Sequence, residues 1–567
     1  MQAIKQWLPD IDINYWLQRA VAEIANRQRQ RYENIGYVLF TLPANMPALP
    51  EQRSWVRRKV QGDPPLSLAE LAQAFKMIAE DDRAQGAVLH MRGTQMPQAD
   101  LQTLRNTITW LREKGKRVIC YAQSYDTNGY YVASAADTIL LQPGGDLMTT
   151  GMRINAVFLK DSLEALGVEI EAVAISPYKS AMDQFTQSDI TPESKDQFDW
   201  LLDSFYERIV QSIADGRAIS TEDARWLIDK APHTDQEALA AGYVDALVNE
   251  EGLAAYLEIK PDQLVTWDTG EKRLYLPVRD PSEKHVALLQ ITGMIVPGES
   301  QNPPGDLPVP LFGDGRSGDL TVVQQVRQLM EQDDIGAVIL FIDSPGGSAT
   351  ASEAMASALD ELAKKLPVVA FMNNVAASGG YYVATPAQWI VAQPGTITGS
   401  IGVINGKPTT QGMFEKLRAN RVELMRGANA SYGSDVQPLT PEQEDQMRKS
   451  ILSIYDLFTR RVAESRNMTQ EQVDAIGGGR VWTGEQALEN GLVDQLGDLR
   501  AALEKARELA SLPDQAPLLI MHGGNKDALA PRVAESVDPA ASLRYVYENM
   551  QLVFNGRAQV LMPFTIE

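Results

Sequence analysis

The chain has 567 residues, 44% hydrophobic and 22% charged, the composition of a soluble globular protein with room for roughly two to four domains. Its formal net charge of −22 argues against a nucleic-acid partner, because phosphate binding needs a basic face. A single cysteine, Cys120, excludes an internal disulfide, and four scattered histidines lack the spacing of a zinc motif, so neither metal nor cofactor is expected.

Residues 13–31, INYWLQRAVAEIANRQRQR, set Leu17, Val21 and Ile24 at helical spacing beside Trp16, with arginines clustered at the end. Such a basic amphipathic helix can lie on a membrane or pack on its own protein, and the short apolar face favours packing. No run of about 18 apolar residues occurs, so no membrane-spanning helix is expected. The N-terminus also lacks the basic-then-apolar layout of a secretory signal.

A short apolar strand, IGYVLFTL at 35–42, opens the next region, and from there the sequence repeats itself. GAVLHM at 86–91 returns as GAVILF at 336–341, and RVICYAQSYDTNGYYVASAADTILLQPGG at 117–145 as VVAFMNNVAASGGYYVATPAQWIVAQPGT at 368–396. ITPESKDQF at 190–198 is echoed by LTPEQEDQM at 439–447, and EALAAGYVDAL at 237–247 by QALENGLVDQL at 486–496. Four echoes in order, at a constant offset of about 250 residues, mark a duplicated domain rather than a solenoid, whose repeats are far shorter. The second copy opens with HVALLQI at 285–291. It continues with helical periodicity at 320–333, the apolar run IGAVILFID, a helix over 348–365, the buried-strand candidate PVVAFM, a short helix from Ala377, and WIVAQ. Strands alternating with helices of this length predict parallel β-α units. The stretch 297–318, rich in proline and glycine, reads as a mobile loop.

The two copies have divided the chemistry between them. The second has Ser378 in NNVAASGGYYVATPA, and Gly346 and Gly347 in FIDSPGGSA, where glycine lets backbone N–H groups approach an oxyanion. The first has Thr127 at the serine's position and Thr94-Gln95-Met96-Pro97 in place of the glycine turn. Conversely, the first copy has Lys179, twelve residues before Thr191, while the matching position before Thr440 is Ala428, with no lysine from 427 to 448. A lysine whose pKa is lowered by burial can serve as general base to a serine. The complementary losses therefore point to acyl transfer, with Ser378 the nucleophile and Lys179 the base. A helix beginning after Ser378 adds N–H donors for the oxyanion.

The motifs YKSA, SPGGSATASE, AASGGYYVATPA, TGSIGV and GRVWTGEQAL resemble those of the signal peptide peptidase A family, in its long two-copy form, over residues 35–510. The resemblance implies an α/β fold of two tandem ClpP/crotonase-like copies (a β-β-α superhelix), assembled as a ring, here a homotetramer. It implies a Ser-Lys protease that degrades cleaved signal peptides and other unfolded apolar segments. In that family the motif residues matching Ser378 and Lys179 are nucleophile and base, and the serine matching Ser400 helps hold the lysine. Those matching Gly346 and Gly347, together with the N–H of Ser378 or Gly379, form the oxyanion hole. Many relatives carry a transmembrane anchor; its absence from this sequence leaves peripheral membrane association as the expectation, with the side of the membrane open. The expected organisation is an N-terminal segment 1–34, a first copy 35–265, a linker 266–284, a second copy 285–514 and an extension 515–567. Two other readings are a crotonase-like acyl-CoA enzyme, which would need neither Ser378 nor Lys179, and an inactive membrane-associated scaffold.

Overall fold

A computed structural model describes residues 13–32, 35–51, 53, 58–59, 62–277, 282–301, 315–521 and 559–560. The chain divides into two compact units. One holds residues up to Met152 together with Phe205–Ser282; the other holds Arg153–Ser204 and everything from Glu283 onward. These units do not follow the sequence repeat: residues 153–204, which carry Lys179, belong by sequence to the first copy and by packing to the second unit.

In the first unit four strands, Ile35–Leu42, Ala84–Met91, Arg117–Asp126 and Thr138–Met148, lie side by side and parallel. Their side chains alternate between two apolar layers. Val38, Leu89, Cys120 and Leu141 enter one, and Tyr37, Val88, Ile119 and Leu140 the other. Burial on both faces explains why these strands read as apolar runs instead of an apolar-polar alternation. The helix Leu68–Glu80 covers one face with Leu68, Leu71, Phe75 and Ile78, and Ser67 and Glu70 close its first turn as a capping box.

The second unit repeats the plan. His285–Thr292, Ile335–Ser344 and Val368–Ala377 run parallel in that spatial order. The first two keep the boundaries expected from the sequence, whereas the third runs on past PVVAFM to Ala377, so the short helix expected from Ala377 begins at Gly379. The helices Asp319–Glu331 and Ala349–Ala363 bury Val322, Val326 and Leu329, and Met355, Leu359 and Leu362. Each such aliphatic side chain contributes about 1.5–3 kcal/mol on burial. Beyond Val368–Ala377 the sheet splits. Trp389–Ala392 pairs with the strand's first half, and Ile397–Gly399 pairs with Val375–Ala377. On the other side Ala376 still pairs with Ser344 after a register shift, so Ser378 follows directly on the end of a central strand.

A smaller sheet builds the surroundings of Ser378. Its order is Arg316–Gly318, Met294–Val296, Gly347–Ser348, Gln559–Val560, Ile404–Thr409 and Glu169–Ala174. Part of the expected mobile loop is thus regular. Arg316–Gly318 pairs with Met294–Val296, where Gly293 and Gly318 allow backbones to meet closer than a side chain permits. Residues 302–314 of that stretch lie outside the described residues. The N-terminal helix spans Ile13–Arg29. Asn26 bonds both backbone groups of Leu276, and Arg29 donates to the carbonyls of Glu271 and Leu274. Among the described residues no helix is long and apolar enough to cross a membrane.

Candidate active site

Ser378 stands where the Val368–Ala377 strand gives way to the short helix Gly379–Tyr382. Its backbone has φ 58° and ψ −114°, a conformation rarely tolerated by a residue with a side chain and costing about 1–3 kcal/mol. The surroundings fix it. Its N–H donates to Gly399 O at 2.8 Å, and its carbonyl accepts from Tyr382 N–H at 2.8 Å. Ser400, on the turn after Ile397–Gly399, also has positive φ, 49°, and donates its N–H to Arg480 O at 2.7 Å. Both serines are fully buried.

Lys179 follows the Glu169–Ala174 strand in a tight turn, its N–H donating to Ser176 O at 3.1 Å. The side chain is 1% exposed and ends at the two serines. Nζ lies 2.6 Å from Ser378 Oγ, 2.9 Å from Ser400 Oγ and 3.0 Å from Ser400 O. None of these partners is a carboxylate, and burial alone pushes the lysine's pKa well below its ordinary value. The uncharged amine also suits the neighbours. With two hydrogens and one lone pair, it can donate to both Ser400 oxygens and accept from Ser378 O–H.

The glycine turn 346–347 lies against this site. Gly347 has φ 153°, and a Cβ there would fall 2.0 Å from Ile295 O, so no other residue fits. A Cβ on Gly379 would approach Gly347 N to 3.2 Å, which shows how closely these two backbones converge. The other two N–H groups expected of an oxyanion hole are already engaged. Gly346 donates to Ser344 Oγ at 3.2 Å, and Ser378 donates to Gly399. Gly346 instead turns the chain at φ 105°.

Several supports had no signal in the sequence. Gly479, at φ 92°, lies so close to Lys179 that an added Cβ would be 2.6 Å from its N, Cα and Cβ. Gln197, fully buried, donates to Tyr178 O at 3.0 Å and Ser180 Oγ at 3.2 Å and accepts from Val481 N–H at 3.1 Å. It thereby brackets Lys179 on both sides in sequence. Trp200 stacks on Trp482 at 5.1 Å and donates to Val481 O. Asp343, beside the glycine turn, is no partner of a histidine. It accepts from Asn373 and Asn374 side chains and from Val375 N–H, tying two strand ends together. Among the described residues no cluster could hold a metal ion.

The corresponding place in the first unit is chemically closed. Thr127 Oγ1 is paired with the backbone of Gly151. The Asp126 side chain accepts from Thr94 Oγ1 and Gly129 N–H, occupying donors that an oxyanion would need.

Peptidase family S49 matches this chain twice, at residues 111–263 and 360–513. A chloroplastic serine protease, SPPA of Arabidopsis thaliana, is 30% identical over 79% of this chain and 66% of its own length. Protease 4 of Salmonella typhi is 31% identical over 79% of this chain and 72% of its own. The chain therefore spans about two thirds to three quarters of these relatives' length. Among solved structures, a ClpP1 from Listeria monocytogenes is similar over 38% of this chain and 94% of its own, with 17% identity and a TM-score of 0.23, too low to carry weight. Two family matches at the interval of the internal repeat, over two α/β sheets of one plan, fit a tandem α/β fold. On these matches and identities, the chain belongs to peptidase family S49 and is a serine protease.

Proposed function

We propose that this chain is an endopeptidase in which Ser378 is the nucleophile and Lys179 its general base. The observation that carries the reading is the buried lysine 2.6 Å from the serine hydroxyl, without a carboxylate to keep it charged. Neutral Lys179 takes the Ser378 Oγ proton as Oγ bonds to the substrate's peptide carbon. The carbonyl oxygen becomes an oxyanion facing the N–H groups of Gly347 and Gly379. As the intermediate collapses, the C–N bond breaks and the Lys179 ammonium returns the proton to the leaving amine. A water then gives a proton to Lys179 and attacks the ester, and Ser378 leaves with that proton restored. Ser400 orients the amine so that its lone pair points at Ser378.

An acyl-CoA enzyme would have no use for this serine–lysine contact, and a scaffold would have none for a strained, buried serine. The substrates proposed are cleaved signal peptides and other unfolded apolar segments. An apolar cluster of Ala181, Met182, Met294, Val296 and Ile404 beside the glycine turn and the lysine supports this. A labelling experiment tests the assignment. An apolar peptidyl phosphonate should add one adduct mass to the protein and stop hydrolysis, and Ser378→Ala should take up none. An undiminished adduct on Ser378→Ala would sink the proposal.

The family resemblance further supports a homotetramer held in a ring. Sedimentation should give a single species of four chains at micromolar concentration, whereas a monomer at that concentration would contradict it. Peripheral membrane association is supported by the N-terminal helix, whose Val21 and Ile24 are 62% and 59% exposed while its end is held to the protein.

A further inference from the structure

Within the second unit the turn 477–480 touches both halves of the lysine's surroundings. On one side Gly478 O accepts from Ser176 Oγ, and Ser176 O accepts the Lys179 N–H. On the other, Gly479 N–H donates to Ile401 O at 2.7 Å, and Arg480 O accepts the N–H of Ser400. The turn therefore links the backbone that carries the base to the backbone that carries the base's hydrogen-bond partner. Yet Gly477, Gly478 and Gly479 are three glycines in a row, the backbone least able to hold its own shape.

Tyr455 supplies the hold. It stands on the long helix Pro441–Arg466, and its hydroxyl accepts from Gly478 N–H at 3.1 Å while donating to Asp474 Oδ1 at 2.5 Å. Asp474 lies in the helix Gln470–Ile476, directly before the turn, so one hydroxyl pins the turn to two helices. The internal repeat gives an independent sign that this arrangement goes with the working serine. Tyr206 follows Thr191 at the spacing at which Tyr455 follows Thr440. Where the second copy has Asp474 and Gly477–Gly479, however, the first has Arg225 and Ile228-Asp229-Lys230. There Arg225 lies over the Tyr206 ring at 5.6 Å instead. The copy without the serine keeps the tyrosine and lacks what it would hold.

We infer that Tyr455 is a positioning residue of the serine–lysine site, holding the glycine turn against Lys179 through Gly478 and Asp474. The inference rests on the reading of Ser378 as nucleophile and Lys179 as base. Gly479 packs on the lysine's backbone, and a Cβ on the adjoining Gly402 would fall 3.2 Å from Lys179 Cδ, so this packing is what keeps water from Nζ. The charged groups on the packed elements are engaged elsewhere. Arg480 lies over the Tyr178 ring at 4.2 Å and donates to Gly477 O at 3.1 Å, Asp474 is held by Tyr455, and Asp183 accepts from Thr191 and Ser194. Burial alone thus keeps Lys179 uncharged.

Tyr455→Phe in the full-length chain keeps the ring and removes the hold. Water then reaches Nζ and the lysine's pKa climbs toward its ordinary value. The acid limb of the kcat/KM–pH profile, measured with a fluorogenic apolar peptide, should move alkaline by about one pH unit. Below the midpoint this reads as about a tenfold loss, carried by kcat with KM little changed. Above the new midpoint activity should return to within about twofold of wild type, and Tm should stay within about 4 °C. Asp474→Asn, which still accepts the Tyr455 O–H, should keep the wild-type profile. An unshifted profile in Tyr455→Phe overturns the inference, as does a loss of equal size at every pH; either would leave Tyr455 a structural residue. An equal shift in Asp474→Asn overturns it too, because the carboxylate's charge would then be the cause. Ser378→Ala in the same assay separates the two layers. Hydrolysis retained there means that the nucleophile assignment has failed, whereas hydrolysis lost there beside an unshifted Tyr455→Phe means that the inference alone has failed.

Discussion

Lys179→Met should abolish peptide hydrolysis, by at least about a thousandfold, and yet give a chain that melts at a higher temperature at neutral pH. Both effects come from the same burial. Among the described residues nothing near Nζ compensates an ammonium charge, and desolvation holds the folded-state pKa well below 10.5, the value of an ordinary lysine. Between the folded pKa and 10.5 the unfolded chain binds a proton that the folded chain has released, so stability rises with pH across that window. The cost of burying Lys179 is complete below the folded pKa and vanishes above the ordinary value. Methionine fills similar space without a charge, so the variant's advantage in Tm should be largest at low pH and fade toward alkaline pH. Wild-type kcat/KM should rise with pH through the folded pKa and level off well short of 10.5. Calorimetry of both proteins over a pH series, beside the pH–rate profile, checks the two halves independently. Activity that appears only near the ordinary lysine pKa would mean that Lys179 stays charged and is not the base.

Gly479→Ala should be nearly as damaging, although residue 479 makes no hydrogen bond to either serine. The new methyl would sit 2.6 Å from three atoms of Lys179, and these include backbone atoms that no rotamer change can move. Positive φ at 479 adds strain. The expected result is a fall in kcat/KM of about a hundredfold or more and a loss of about 2–4 kcal/mol of stability. Gly427→Ala is the control. Its φ is 97°, but nothing lies within 4 Å of a Cβ there, so it should show the strain without the loss of catalysis. Equal effects on activity in the two variants would show that strain alone is responsible and that Gly479 does not position the lysine.

The chemistry of this site was legible because the chain repeats itself. Thr127 beside Ser378, and Ala428 beside Lys179, show what each copy has given up, and that comparison needs no structure. Contacts between distant backbones left no such trace. Gly479 sits in a run of three glycines, and only the close approach to Lys179 distinguishes it from its neighbours. Gly346 and Gly347 look equivalent in sequence, but a hydrogen bond to Ser344 occupies the first. The strand candidates were clear because both sheet faces are buried, whereas Arg316–Gly318 and Gln559–Val560 are too short to show any period. The sequence repeat also concealed the grouping of 153–204 with the second unit, because common ancestry records descent and not packing.

Lys179 and Ser378 are 199 residues apart in the chain, less than the repeat interval of about 250. This has a consequence for the gene. Crossing over between matching points of the two copies would remove one repeat length. A crossover before codon 179 loses the lysine, and one after it loses the serine. Every product that loses a repeat therefore lacks at least one of the pair. Drift of the two copies away from each other in nucleotide sequence makes such exchanges rarer, and the unused positions around Thr127 and Ala428 are free to supply that drift.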